Sequence, residues 1–396
     1  MGRNSLFLVF AALPLFACNA DGAQIEGGLR SHEGDHGKKS KKGEKSRKGE
    51  KSKKGKNTYP GKKWKQDAAE RHGLSSEGLA DMAAIAGEHG TSCLVVIRDG
   101  VLVGEWYWDG YDAETPLADV WSVTKSVTSV AIGVAAAEGL LDIHDRVAEY
   151  VPEWQGGPSE DVTIFDLLTH TSGREWDFAS DMAIFEAQDQ TAYSLSFGQA
   201  LAPGERWDYS NLGVQTLEAV LEHATGGDIE AYYQAKVFER IGMDAKMARD
   251  PSANPLTYTG LSASCRDMAR FGHLILREGR WKHEQVVPRD WVKRSTAPST
   301  ELNEAYGYLW WLNSPGHVVL PSIPARAEYD GQMFPSAPED MVFALGAFGQ
   351  FVAIDPEDEI VMVRLTDELN YADPLGTGEI DDILGALERA KLDGCD

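Results

Sequence analysis

The chain has 396 residues, 42% hydrophobic and 9% aromatic, enough to bury the core of one large domain or two smaller ones. Its only strongly apolar run lies between Leu6 and Ala17, short of the roughly 20 residues that span a bilayer, so a multi-pass membrane protein is excluded. Residues 30–65 carry 15 Lys or Arg against 4 Asp or Glu, which leaves a net charge of −34 on the residues after them; a surface that acidic repels phosphate backbones and excludes sequence-specific nucleic-acid binding there.

In chain order, Arg3, the apolar stretch from Leu6 to Ala17 and the terminating Cys18 resemble a bacterial lipoprotein signal over residues 1–18, in which the cysteine is lipidated and becomes the new N-terminus. Cleavage near Ala20 or Ala23, as in an ordinary secretory signal, is the alternative. The lipoprotein reading expects a protein of the bacterial cell envelope attached through Cys18, on the periplasmic face of the outer membrane or at the cell surface. Residues 31–65 repeat Lys-Lys-Gly/Ser and Lys-Gly-Glu units with almost no apolar side chain, so a disordered basic tether is expected over 19–66 and the folded domain over 67–396. The tether serves either as a spacer or as an electrostatic contact with anionic lipid or wall polymer, at about 1 kcal/mol per basic residue. With Cys18 lipidated, Cys93, Cys265 and Cys395 remain, fitted equally by one pair plus a free thiol or by three thiols. No cysteine spacing resembles a zinc site and no HxH occurs, so no metal and no cofactor is expected.

Ser92 to Trp108 reads as two β-rich runs joined at Arg98-Asp99-Gly100, an Asp-Gly hairpin signal. From Ser122 to Leu140 the residues become small and apolar, too alanine-rich for a strand and ended by Gly139, which predicts a buried helix. Helical segments follow at Thr163–Leu168, Gly213–Ala224, Ile229–Ile241 and Cys265–Glu278. Tyr306–Leu312, Met341–Leu345, Phe351–Ile354 and Ile360–Leu365 are β-rich, with turns at Gly346–Gly349 and Pro356–Glu359. Glu379–Ala390 places Ile380, Ile383, Leu384 and Leu387 on one helical face. Strands at both ends with helices between them predict an α+β fold: one antiparallel sheet formed from both chain ends, flanked by helices, with a mainly helical region inserted.

Ser122-Val123-Thr124-Lys125 opens the predicted buried helix and is the only Ser-x-x-Lys of the chain. At i and i+3 the hydroxyl and the ammonium share a face, about 5–6 Å apart at Cβ. There the lysine eases proton removal from the serine, and the helix N-terminus favours developing negative charge. Capping serine and solvated lysine are the bland reading, but Val120, Trp121, Val123 and Val127 surround the pair with apolar groups. Tyr209-Ser210-Asn211 follows a Pro203-Gly204 turn. Beside a protonated lysine the Tyr209 phenol is expected to have a lowered pKa and to act as a general base, with Asn211 holding either Lys125 or a substrate amide.

These pieces resemble the serine β-lactamase and penicillin-recognising hydrolase superfamily, in its class C-like esterase and 6-aminohexanoate-dimer hydrolase branch, over about residues 75–390. Leu141–Val147 continuing to Glu153, Thr163–Gly173 and Ile241-Gly242-Met243 extend the resemblance in the same order. It implies that Ser122 is acylated, Lys125 is its proton partner and Tyr209 is the base that also protonates the leaving group; His170 is implied to be structural. Trp176, Asp177, Phe178, Trp310 and Trp311 are implied to border the cleft.

The third element departs from the best-known members, because the chain has no Lys-Thr-Gly or His-Thr-Gly. The resemblance implies Phe343–Phe351 instead, with Gly346 admitting substrate to the strand backbone and the Ala347 and Ser122 amides forming an oxyanion hole. Without that lysine, and on an acidic domain, neutral or cationic esters and amides fit better than an anionic β-lactam, unless Arg364 supplies a replacement cation. The expected function is therefore hydrolysis of an ester or amide through an acyl-serine, with a small-molecule substrate. The alternatives are a peptidoglycan D-amino-acid peptidase or carboxypeptidase, a β-lactamase, or a non-catalytic wall-binding lipoprotein.

Overall fold

Residues from opposite ends of the chain meet as neighbouring strands. The computed structural model describes residues 58–321, 326–370 and 373–392; the expected signal at 1–18, most of the expected tether and Cys395 lie outside them. In chain order the elements are α1 (Ser76–Glu88), β1 (Cys93–Arg98), β2 (Val101–Tyr107), α2 (Val123–Ala137), α3 (Ile164–Leu168), α4 (Phe178–Ala183), α5 (Gln190–Leu195) and α6 (Asn211–Thr225). Next, α7 (Ile229–Tyr233) runs through a π turn into α8 (Glu239–Ile241), followed by β3 (Ala245–Met247), β4 (Leu261–Ala263), α9 (Cys265–Leu276), β5 (Arg280–Trp281), β6 (Glu284–Gln285) and α10 (Arg289–Ser295). The last part holds β7 (Trp311–Leu312), β8 (Gly316–Leu320), β9 (Ala327–Gly331), β10 (Val342–Gly346), β11 (Gln350–Asp355), β12 (Ile360–Leu365) and α11 (Thr377–Ala390).

The main sheet has the order β2-β1-β12-β11-β10-β7 and is antiparallel throughout. Every residue of β11 and β12 is buried, as expected of strands covered on both faces, so their apolar residues do not alternate with polar ones. On one face Gly272 lets α9 approach closely: a Cβ there would stand 2.5 Å from Val361 and 2.8 Å from Val352. On the other face α1 packs along α11. Both chain ends thus build one sheet, with the helical stretch from α2 to α10 between them, as the α+β reading expects.

Two local expectations change, and one left open is decided. Of Tyr306–Leu312 only Trp311–Leu312 is a strand, because Leu309 takes a left-handed φ of 60° and Gly307 N–H donates to Trp310 O at 2.9 Å, which folds the segment into a turn. Residues 58–66, expected in the tether, pack on the domain. Tyr59 meets His273 and Trp281 edge-on at 5.4 and 5.5 Å, and the Arg270 guanidinium lies 4.9 Å from the Trp64 ring. Leu102 N–H donates to Lys65 O, and Asp67 N–H to Leu102 O. Of the two cysteine readings, the pair is present: Cys93 is disulfide-bonded to Cys265, tying the start of β1 to the start of α9.

Candidate active site

A carboxylate brace positions the nucleophile candidate. Asp119 accepts from Trp121 N–H at 2.6 Å, Gly260 N–H at 2.8 Å and Thr259 Oγ1 at 3.1 Å, and burial pushes its pKa up to about 6 against these bonds. The brace holds Trp121 at a φ of 51°, a conformation that costs a non-glycine residue about 1–3 kcal/mol. Ser122 follows at the N-terminus of α2, where its side chain makes no capping bond and stays available.

Val, Ala, Ser and Thr fill α2, and this small-residue face is buried from Val123 to Ala135, Lys125 included. Lys125 is 1% exposed. Its Nζ donates to Ser122 Oγ at 2.7 Å, Asn211 Oδ1 at 2.7 Å and Tyr258 O at 3.0 Å, three acceptors for the three protons of an ammonium. Burial lowers the Lys125 pKa strongly, opposed by the charges of Asp181 and Asp119. When the amine is neutral, the Ser122 contact reverses and the hydroxyl donates to Nζ.

Ser210 caps α6 by accepting from Gly213 N–H, which places Tyr209 just outside the helix and Asn211 at its first turn. Asp181 of α4 accepts from the Asn211 backbone and side-chain N–H groups, each at 2.8 Å, and from Leu212 N–H at 3.2 Å. Asn211 therefore uses both ends of its amide within the protein. Of the two roles expected for it, holding Lys125 is the one its bonds show.

Tyr209 stacks on Trp311 with centroids 5.8 Å apart, and Lys125 Nζ lies 4.9 Å from its ring centre. The expectation of a lowered phenol pKa is overturned: burial raises it, reinforced by the Asp181 charge and only partly offset by the Ser122 side chain. His170 accepts from Ser210 N–H through Nδ1 at 3.2 Å, so its proton sits on Nε2, 3.1 Å from the Tyr306 hydroxyl. Burial and the nearby Lys125 hold the ring neutral, well below its usual pKa. His170 thus props up the Tyr209–Ser210 segment and lacks the free nitrogen of a proton shuttle.

The Gly346–Gly349 turn reaches the nucleophile. A Cβ at Gly346 would stand 2.5 Å from Val120 O and 3.1 Å from Ser122 N, so only glycine allows this approach. Among the described residues, neither Ser122 N–H nor Ala347 N–H donates to another group of the protein. Beneath the turn, Arg364 is 1% exposed and its guanidinium donates to Phe348 O, Gly349 O, His89 O and Thr91 Oγ1. It fixes the turn from below and does not replace the missing lysine of the third element.

Ser122, Lys125, Tyr209, Asn211 and Gly346 are thus brought together, with Trp311 behind Tyr209 and Trp176 beside Asp181. Trp310 does not border the cleft, because it is 0% exposed and stacks on Phe271. Asp177 is the exposed cap of α4, accepting from Ser180 N–H at 2.9 Å. Sequence reasoning missed Asp119, Asp181 and Tyr258, which no motif marks and which only the fold carries to Lys125.

Comparison with protein families matches beta-lactamase over residues 67–383. Among curated proteins, the 6-aminohexanoate-dimer hydrolase of Paenarthrobacter ureafaciens is 24% identical, over 75% of this chain and 76% of that one. The beta-lactamase of Escherichia coli K12 is 24% identical over 69% and 80%. Among solved structures, a provisionally named 6-aminohexanoate-dimer hydrolase from Bacillus anthracis superposes with a TM-score of 0.66 at 20% identity, over 84% of this chain and 90% of that one. A D-alanine carboxypeptidase from Burkholderia cenocepacia gives 0.57 at 18% identity, over 79% and 100%. At these identities the solved structures establish the fold.

Proposed function

This chain belongs to the beta-lactamase family of serine hydrolases, and from that premise we propose that it hydrolyses a neutral or cationic ester or amide through an acyl group carried on Ser122. The observation that carries the reading is the Ser122 hydroxyl 2.7 Å from a buried lysine amine, beside two amide N–H groups that find no acceptor among the described residues. Burial of Lys125 makes its neutral form accessible, so Lys125 takes the Ser122 proton as Oγ attacks the carbonyl carbon. The Ser122 and Ala347 amides receive the developing oxyanion. As the bond to the leaving group breaks, the Tyr209 phenol, kept protonated by burial, donates to the departing atom and is reprotonated from the Lys125 ammonium. Water then attacks the acyl carbon and gives a proton to Lys125; the bond from that carbon to Ser122 Oγ breaks, and the Lys125 ammonium returns the proton to Oγ as the acid leaves. The base of the sequence reading thus moves from Tyr209 to Lys125, while the phenol keeps its role as proton donor.

A fluorophosphonate probe followed by mass mapping tests the reading: label on Ser122, absent when Lys125 is replaced by Met, supports it, and an unlabelled Ser122 in folded protein overturns it. The carboxypeptidase likeness keeps a second reading, cleavage of a D-alanyl-D-alanine peptide. Its carboxylate finds no third-element lysine here, so such a peptide should be a poorer substrate than a neutral ester. The signal-like residues 1–18 favour attachment to the cell envelope through Cys18, with the basic residues that follow meeting anionic lipid or wall polymer. Replacing Cys18 by Ser should release the protein from membranes.

A further inference from the structure

The residues flanking the two amides hold left-handed backbone, Trp121 with φ 51° and Phe348 with φ 64°. One immediately precedes Ser122 and the other immediately follows Ala347, so both belong to the segments that present the two free amides. Their rings meet edge to face, with centroids 5.0 Å apart. Phe185, in the turn after α4, adds a third ring 6.3 Å from Trp121 and 5.5 Å from Tyr258. Tyr258 in turn accepts from Lys125. Four rings therefore form a continuous bank from the oxyanion segment to the lysine, with Tyr209 and Trp311 stacked as a separate aromatic pair beside Lys125.

Burial separates the members of the bank. Tyr258 is 0% and Phe348 6% exposed, as core residues are, whereas Trp121 and Phe185 are only half-buried. Half-exposed rings beside a nucleophile leave apolar surface that a bound group can cover. The cations bonded to this bank, Lys125 to Tyr258 O and Arg364 to Phe348 O, are both engaged inside the protein. Asp119 and Asp181 place negative charge behind Lys125. A carboxylate on the bound group would thus meet apolar rings and like charge.

We infer that Trp121 and Phe185, backed by the buried Phe348 ring, form the wall of an acyl-group subsite that takes an uncharged apolar group, aryl or branched alkyl, attached to the carbonyl that Ser122 attacks. The inference rests on the acyl-serine reading above and names its substrate class. It makes Phe185 a specificity-determining residue, since its side chain comes from a short turn and carries none of the catalytic hydrogen bonds.

The test compares p-nitrophenyl phenylacetate, acetate and hemisuccinate. The wild-type kcat/KM for phenylacetate should exceed that for acetate by about tenfold, and that for hemisuccinate by more. Phe185→Ala should bring the phenylacetate-to-acetate ratio down about tenfold, with Phe185→Leu in between. A wild-type ratio near one, or a ratio that Phe185→Ala does not move in a protein of unchanged Tm, overturns the subsite. A readout without turnover separates the two readings: binding of N-phenylacetyl-glycinamide to the Ser122→Ala protein, followed by NMR titration, should weaken at least about fivefold when Phe185→Ala is added. Binding that weakens in this way while wild-type protein hydrolyses no ester overturns the acyl-serine reading and supports the subsite. Binding indifferent to Phe185 overturns the subsite and leaves the acyl-serine reading standing.

Discussion

The Asp181 carboxylate lies 2.8 Å from the Asn211 side-chain nitrogen, and that bond turns the Asn211 oxygen toward Lys125 at 2.7 Å. An asparagine amide presents a donor at one end and an acceptor at the other, so an acceptor-only partner behind it fixes which end faces the lysine. Asp181 thus acts on the Lys125 amine twice, through this orientation and through its own charge. The groups facing Lys125 are Asp119 from the loop before Ser122, Asp181 from α4, the neutral His170, and the phenols Tyr209 and Tyr258.

Asp181→Asn should therefore move the pH dependence of kcat/KM. Lys125 works as a base only when deprotonated, so activity rises with pH through its pKa, which burial places below the usual lysine range. The Asp181 charge raises that pKa, so removing it lowers the pKa further and shifts the rising limb to lower pH, by about one unit. A pH profile of ester hydrolysis checks this. A limb that stays in place would mean that the Asp181 charge does not set the Lys125 pKa and that its role is confined to orienting Asn211 and accepting from the first N–H groups of α6.

Ser122→Ala should abolish ester hydrolysis while leaving Tm nearly unchanged. The Ser122 side chain makes no capping bond to α2, and Lys125 keeps Asn211 and Tyr258 as acceptors. Activity of the purified variant and its thermal unfolding are the two measurements, and retention of most activity would remove Ser122 from the mechanism.

Tyr209→Phe should lower turnover by about two to four orders of magnitude, the range typical of losing a positioned proton donor. The stacking on Trp311 and the contact with Lys125 survive the loss of one oxygen, so folding should persist. A single-turnover experiment with an alkyl ester or an amide, whose leaving group must gain a proton as it departs, places the defect: slow release of the alcohol or amine marks loss of proton donation.

The parts of this site legible in the sequence are those fixed by local geometry. Ser122 and Lys125 share a helical face by spacing alone, and Arg98-Asp99-Gly100 announces the hairpin that forms between β1 and β2. Asp181 and Asp119 were invisible because tertiary packing, not spacing, carries them to Lys125. Trp310 and Trp311 are both buried, at 0% and 4% exposure, and what separates them is the ring each one meets, Phe271 for Trp310 and Tyr209 for Trp311, which the turn before β7 decides and no local pattern announces. Tyr59 and Trp64 did carry a signal, as two aromatic residues in an otherwise polar basic run, and both pack on the domain.

The Cys93–Cys265 disulfide closes a separation of 172 residues. Restricting so long a loop in the unfolded chain stabilises a fold by about 2–5 kcal/mol. It also anchors the segment just before α9, where Tyr258 and Gly260 meet Lys125 and Asp119. Cys93→Ser with Cys265→Ser, or reduction of the wild-type protein, should lower Tm by several degrees and make activity more heat-labile. An unchanged Tm under reducing conditions would show that the bond contributes nothing to stability.

β-Lactam hydrolysis should be weak beside ester hydrolysis. A penicillin or cephalosporin carries a carboxylate that must lie near the third element, where this chain has the Gly346–Gly349 turn and no lysine. Arg364 is the cation closest in sequence to replace it, but its guanidinium is buried under the turn and donates to Phe348 O at 3.2 Å and Gly349 O at 2.8 Å. Releasing it would strip the support from the segment that presents the Ala347 amide, and the acidic domain adds like-charge repulsion. Measured on one preparation, kcat/KM for a neutral p-nitrophenyl ester should exceed that for a cephalosporin by about a hundredfold or more, and the gap should narrow at high salt as the repulsion is screened. A preference for the cephalosporin would instead make the backbone of residues 346–350 a carboxylate site in its own right, built from amide N–H groups in place of a side-chain cation.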